Sequence, residues 1–200
     1  MKEETGNLFE QTDSVIVICT NGYVDLNGYA DPCSETASQA SQVWTGLSSH
    51  LGDSIRKEGG TCQVVMSQYT YRIPLTLVTF PTKPGRIYLS DKENIISSAV
   101  PAGDSLPLYL PGSAAYSNLN IIRHSAEELV ELTNKMKWDK VYLPRVGCGS
   151  GKLKWKEVKE TIKNILDDRF IVLRLPKETA KMTNEESISP LNGPTSETGF

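Results

Sequence analysis

The residue types best placed to do chemistry lie in Leu143-Pro144-Arg145-Val146-Gly147-Cys148-Gly149-Ser150-Gly151-Lys152, a run with glycine at 147, 149 and 151 between an apolar stretch and a helical pattern. Glycines let the backbone approach a ligand. Successive amide N–H groups close to a helix N-terminus form an anion cradle without any net positive charge. The implied chemistry is phosphate binding. The run is not a Walker A loop, because Val146 stands where that motif needs glycine and Leu153 where it needs Ser or Thr. It also fails the dinucleotide fingerprint, whose third glycine would fall on Lys152. A tight β-to-α connection whose glycines serve backbone geometry alone is the competing explanation.

A second loop, from Thr20 and Asn21 to Gly28, leaves the end of the apolar run Val15–Cys19. In open α/β sheets ligands sit at such strand ends. The Asn side chains can hold sugar hydroxyls, although Asn-Gly pairs are also ordinary turn formers. Lys83, in Pro81-Thr82-Lys83-Pro84, reads from its surroundings as a solvated turn residue. Cys148 has no His or carboxylate beside it to complete a nucleophilic pair and reads as a small loop residue. His50 and His124 fall inside helical patterns away from both loops, and Trp44, Trp138 and Trp155 on or beside apolar faces, so neither group is assigned a role beyond packing or solvation.

These loops need a frame. Val15–Cys19 is unbroken, apolar and β-branched, as a strand buried on both faces should be. From Glu35 to Lys57 apolar residues recur at three- and four-residue spacing, which predicts one amphipathic helix ending near Gly59-Gly60. Cys62 to Phe80 has strand composition interrupted by Pro74 and predicts two or three short strands. Between Pro84 and Ser117 periodicity vanishes and prolines accumulate, which predicts a loop insertion with little regular structure, suited to a lid. A helix over Asn118–Lys137, a strand over Lys140–Leu143, a helix over Lys154–Leu166 and a strand over Phe170–Leu173 complete an alternating α/β pattern. Residues 1–175 are read as one domain, with 84–117 as its insertion. Residues 176–200, rich in Glu, Thr, Ser, Asn, Pro and Gly, are read as a flexible tail.

Composition narrows the partners. Twenty-one Lys and Arg against 24 Asp and Glu leave a net charge of −3, which gives no general drive toward nucleic acid or an anionic membrane. No stretch reaches the length of a membrane span, and the polar first ten residues lack a signal-peptide core, so a cytoplasmic protein is expected. Cys19, Cys33, Cys62 and Cys148 show neither metal spacing nor a disulfide framework, so reduced thiols, no metal and no cofactor are expected.

Taken together, Gly6-Asn7-Leu8, Thr20-Asn21-Gly22, Phe80-Pro81-Thr82-Lys83 and Leu143 to Gly149 resemble macro domains in order and spacing, along residues 6 to 174. Trp155 to Lys159 and Asp168 to Val172 add a likeness to small bacterial and phage-type members. The resemblance implies a three-layer α/β/α fold with a central mixed, largely parallel sheet and a cleft for ADP-ribose or a related NAD-derived nucleotide. By position it implies that Gly6, Asn7 and Leu8 lie near adenine and Asn21, with Thr20 and Gly28 in the same loop, near the distal ribose. Gly147, Cys148, Gly149, Ser150 and Gly151 would surround the diphosphate, and Pro144 and Arg145 before them would also be ligand-binding. Lys83 resembles, by location, the lysine that forms the covalent intermediate in glycohydrolase members.

The chain also departs from the family. Asn7 stands where relatives carry Asp, and its amide oxygen can still accept a hydrogen bond. Asp31 to Thr36 replaces a second glycine-rich loop and puts carboxylates beside the proposed diphosphate. The assisting Asp of the lysine mechanism is missing near Ser150-Gly151. Two readings therefore stay open: a nucleotide-binding hydrolase acting on ADP-ribose-1″-phosphate or ADP-ribosyl linkages, and a non-catalytic sequestering module whose insertion contacts a protein partner.

Overall fold

The structure is a computed structural model that describes residues 1–11, 14–31, 34–70, 73–101 and 107–174. The predicted tail lies outside the described residues. Strand β2 (Ser14–Thr20) is buried at all seven positions, as a strand covered on both faces must be. It pairs in parallel with β4 (Ile73–Pro81) on one side and β7 (Val141–Pro144) on the other. Beyond β7 the sheet continues in parallel through β8 (Phe170–Arg174) to β1 (Lys2–Thr5) at one edge. At the other edge β3 (Val64–Thr70) runs antiparallel to β4, giving the six-stranded order β1-β8-β7-β2-β4-β3.

Alternation along the strands divides the core into two. Val15, Val17, Cys19, Leu143 and Val172 face Ile122, Ala126 and Leu129 of α3 (Leu119–Met136) and Val158 and Ile162 of α4 (Trp155–Ile162). Ile16, Ile18, Leu77, Ile171 and Leu173 face the other way, against Ala37, Ala40 and Trp44 of the first helical segment and Leu47 of the next. Each fully buried aliphatic side chain contributes about 1.5–3 kcal/mol. The result is a three-layer α/β/α arrangement with every strand end that precedes a β-to-α loop on one rim of the sheet.

Two expectations from the sequence need correction, and one strand was not expected. The helix over residues 35–57 is two helices, α1 (Glu35–Val43) and α2 (Leu47–Glu58). Gly46, at φ 85°, turns the chain between them in the left-handed region that glycine tolerates. Trp44 and Leu47 still reach one cluster, which is why the apolar spacing runs unbroken through the turn. The insertion is structured: β5 (Arg86–Tyr88) and β6 (Tyr109–Pro111) form an antiparallel ribbon, with single 3-10 turns at Lys92–Asn94, Ser97–Ala99 and Gly112–Ala114. Ile87, Ile95 and Leu110 give it a small core of its own. Finally, β1 has no apolar residue and all four of its positions are exposed, so backbone pairing with β8 alone makes it a strand.

Candidate functional site

The loop from β7 to α4 carries the densest set of special backbone geometry. Gly147, at φ 74°, lies so close to the core that an added Cβ would sit 2.7 Å from Ile122 Cδ1. Gly151 is tighter still, since a Cβ there would fall 2.0 Å from Ser117 Oγ and 2.6 Å from the Gly147 carbonyl oxygen. Gly149 differs: nothing lies within 4 Å of its missing Cβ, so it opens onto empty space. The loop is closed by Cys148 N–H donating to Arg145 O, Lys152 N–H to Gly149 O and Leu153 N–H to Gly147 O. Among the described residues the amides of Gly147, Gly149 and Gly151 have no such backbone partner.

The open space forms two adjoining cavities that share Glu35, Thr36, Pro144, Arg145 and Gly149. The outer one, about 320 Å³, is also lined by Gly6, Asn7, Leu8, Cys148, Leu173 and Arg174. The inner one, about 100 Å³, lies against Gly147, Ser150 and Gly151 and ends on Thr82, Lys83 and Ser117. A larger depression of about 700 Å³ around Met1, Asp139 and Arg169 is distant from these loops and wide open to solvent.

Each predicted residue can now be placed. Gly6, Asn7, Leu8, Pro144, Arg145, Cys148 and Gly149 line the outer cavity, and Lys83, Gly147, Ser150 and Gly151 the inner one. Asn7 already uses its amide oxygen to accept from Phe9 N–H at 3.0 Å, which caps a 3-10 turn and leaves one lone pair for a ligand. Thr20, Asn21 and Gly28 line neither cavity. Thr20 O accepts from Thr82 N–H, so the end of β2 is tied to the lysine-bearing segment. Asn21 is 2% exposed; its Oδ1 accepts from Tyr23 N–H, while its Nδ2 has no partner among the described residues. An unspent buried donor costs about 1–3 kcal/mol. Gly28, at φ 94°, turns its loop against α2, where its carbonyl oxygen would meet a Cβ on Gly52 at 1.9 Å.

Lys83 is not the solvated turn residue that its neighbours in sequence suggest. It is 3% exposed and lines the inner cavity, and its Nζ donates to Ser113 O of the insertion at 3.1 Å. Burial raises the Cys148 thiol above its ordinary value, with Arg145 opposing, so the sulfur is a neutral donor to Val146 O and not a thiolate. Of the acidic segment, Glu35 lines both cavities and Asp31 neither; residues 32 and 33 lie outside the described residues. Glu35 opens α1, where the helix N-terminus offsets part of its charge, and Ser34 Oγ caps that helix by accepting from Ala37 N–H at 3.0 Å.

Sequence reasoning missed Thr36, Thr82, Ser117 and Arg174 as lining residues. Thr82 and Arg174 stand at or just beyond strand C-termini, and the rule that ligands bind at those ends was the available signal. It also missed a cluster beside Arg145. The Glu3 carboxylate of β1 accepts from Lys159 Nζ at 2.6 Å, Trp155 Nε1 at 3.0 Å and Arg145 Nη2 at 3.3 Å. The Arg145 guanidinium carbon lies 5.3 Å from the centroid of the Trp155 ring. Among the described residues no group of His, Cys, Asp and Glu is placed to hold a metal ion, and no helix is long and apolar enough to cross a membrane.

No protein-family model matches the chain, and no curated protein matches it significantly. Solved structures do. The macrodomain of Mycobacterium tuberculosis DarG superposes with a TM-score of 0.57 at 15% identity, covering 86% of this chain and 95% of that one. The macrodomain of Thermus aquaticus DarG gives 0.57 at 17%, covering 88% and 97%. Thermosipho africanus DarTG in complex with ADP-ribose gives 0.58 at 17%, covering 86% of this chain and 40% of that one. At these identities the likeness is one of fold.

Proposed function

Starting from a chain with the macrodomain fold, we propose that the paired cavities bind ADP-ribose or a related NAD-derived nucleotide. The observation that carries the proposal is Gly149: it opens onto the cleft in a loop where, among the described residues, the Gly147, Gly149 and Gly151 amides have no backbone partner, at the carboxyl ends of parallel strands. The diphosphate then lies on residues 147–151, with the base in the outer cavity against Gly6, Asn7 and Leu8 and the distal ribose in the inner cavity toward Lys83. Asn21 Nδ2 supplies an unspent donor at the end of β2. The outer cavity alone reaches the lower end of the roughly 300–1,000 Å³ usual for small-molecule sites. The ADP-ribose complex of the Thermosipho africanus protein, which shares the fold, is consistent with this ligand.

Turnover is the finer question. A hydrolase reading rests on Lys83, whose buried amine, once deprotonated, would attack the anomeric carbon as its bond to the protein or phosphate leaving group breaks, with water then releasing ADP-ribose and the free lysine. A sequestering reading is favoured by Glu35, which lines both cavities, and by the lack of any carboxylate at Ser150-Gly151 to assist the lysine. Incubation with ADP-ribose-1″-phosphate and with ADP-ribosylated protein separates them. Release of ADP-ribose by the wild type and loss of release in Lys83→Ala support the hydrolase; tight binding with no product supports the sequestering module. Failure to bind ADP-ribose at millimolar concentration contradicts both.

A further inference from the structure

We infer that Glu3, on the edge strand β1, is a positioning residue for Arg145, the arginine that lines both cavities, between which the phosphates of a nucleotide must pass. The inference rests on the nucleotide reading above and adds to it the cation that makes the cleft accept a dianion.

Arg145 lines both cavities, and its side chain is 34% exposed, so a ligand spanning them reaches it. A passing diphosphate also meets Glu35, which lines the same two cavities. Two like charges in one cleft require a fixed cation between them. Among the cations that line the cavities, Lys83 borders only the inner one and Arg174 only the outer one, whereas Arg145 borders both.

An arginine side chain is long and loses rotamer freedom when it is fixed, so its placement needs a cause. Here the guanidinium lies over the Trp155 ring at 5.3 Å and donates through Nη2 to Glu3 at 3.3 Å. Trp155 is itself oriented by Nε1–H donating to the same carboxylate at 3.0 Å. One carboxylate thus sets both the surface on which the arginine lies and the edge by which it is held. A guanidinium has five N–H donors, and those not spent on Glu3 remain for phosphate oxygens.

Sign separates positioning from simple charge. If Glu3 acted only as a negative charge near the cleft, removing it would tighten binding of an anion. If it positions Arg145, removing it loosens binding. Calorimetric titration with ADP-ribose is made on wild type, Glu3→Gln, Arg145→Ala and the double variant, each checked for an intact melting transition. We expect Glu3→Gln to weaken binding about tenfold and to have no effect when Arg145→Ala is already present, the non-additivity of two residues in contact. Unchanged or tighter binding by Glu3→Gln overturns the inference. So does a loss that persists in the Arg145→Ala background, because a merely structural role would act there too. Absence of binding by the wild type sinks the nucleotide reading itself, and this inference with it.

Discussion

At Gly151 the backbone runs so close to Ser117 that no other residue fits, whereas two positions earlier Gly149 meets nothing. The same amino acid therefore does two jobs in one loop, and substitution separates them. Gly151→Ala should cost about 1–3 kcal/mol of stability through overpacking, seen as a lower denaturation midpoint. Glu3 gives a second prediction at this scale. The Lys159 hydrogen bond, with those from Trp155 and Arg145, holds its carboxyl below the ordinary value of 4.5 against the opposing effect of burial. A depressed folded-state pKa means that its contribution to stability is complete above about pH 4.5 and is lost as pH falls through the lower folded value. Acid titration of stability should therefore be shallower below pH 4.5 for Glu3→Gln than for the wild type. Identical slopes would show that the cluster adds nothing. The glycines were legible in sequence because three of them crowd one strand-to-helix loop. Glu3 was not, since its partners at 145, 155 and 159 are distant in sequence and meet it only once β1 joins the sheet.

Among the elements, those with an apolar period were readable and those without it were not. Helix α3 lies within one residue of its expected bounds because Ile122, Ala126 and Leu129 mark the buried face and Asn118 marks the start. Asn118 Oδ1 accepts from Asn120 N–H at 2.8 Å and Ile121 N–H at 3.3 Å, so Asn118→Ala should cost about 1 kcal/mol. Strand β1 was invisible for the opposite reason: its residues, Lys-Glu-Glu-Thr, bury nothing. The ribbon of the insertion was hidden because its strands are three residues long and each buries only one side chain, Ile87 or Leu110. That ribbon matters to the site, because Ser113 beside it holds Lys83. Leu110, 4% exposed, is its main anchor; Leu110→Ala should destabilise by about 2–5 kcal/mol, read by equilibrium denaturation. An unchanged midpoint would mean that the insertion is held by something other than its own core.

For the molecule as a whole, the parallel strands deliver three loops to one rim, and the glycine loop, the Asn7 turn and the lysine segment converge there although they are remote in sequence. The alternation of apolar runs with helical periods made the layered fold legible. It did not reveal that Lys83 is buried, because burial of that residue depends on an insertion that has no periodic signature. The opening at Gly149 is the proposed phosphate site. Gly149→Glu tests it at a position where an added Cβ meets no heavy atom within 4 Å and which lines both cavities. The measurement is calorimetric titration of both proteins with ADP-ribose, alongside their melting curves. The expected result is binding at about micromolar Kd by the wild type, loss of that binding in Gly149→Glu, and matching melting temperatures for the two unliganded proteins. Equal affinity for the two, or no binding by either, would contradict it.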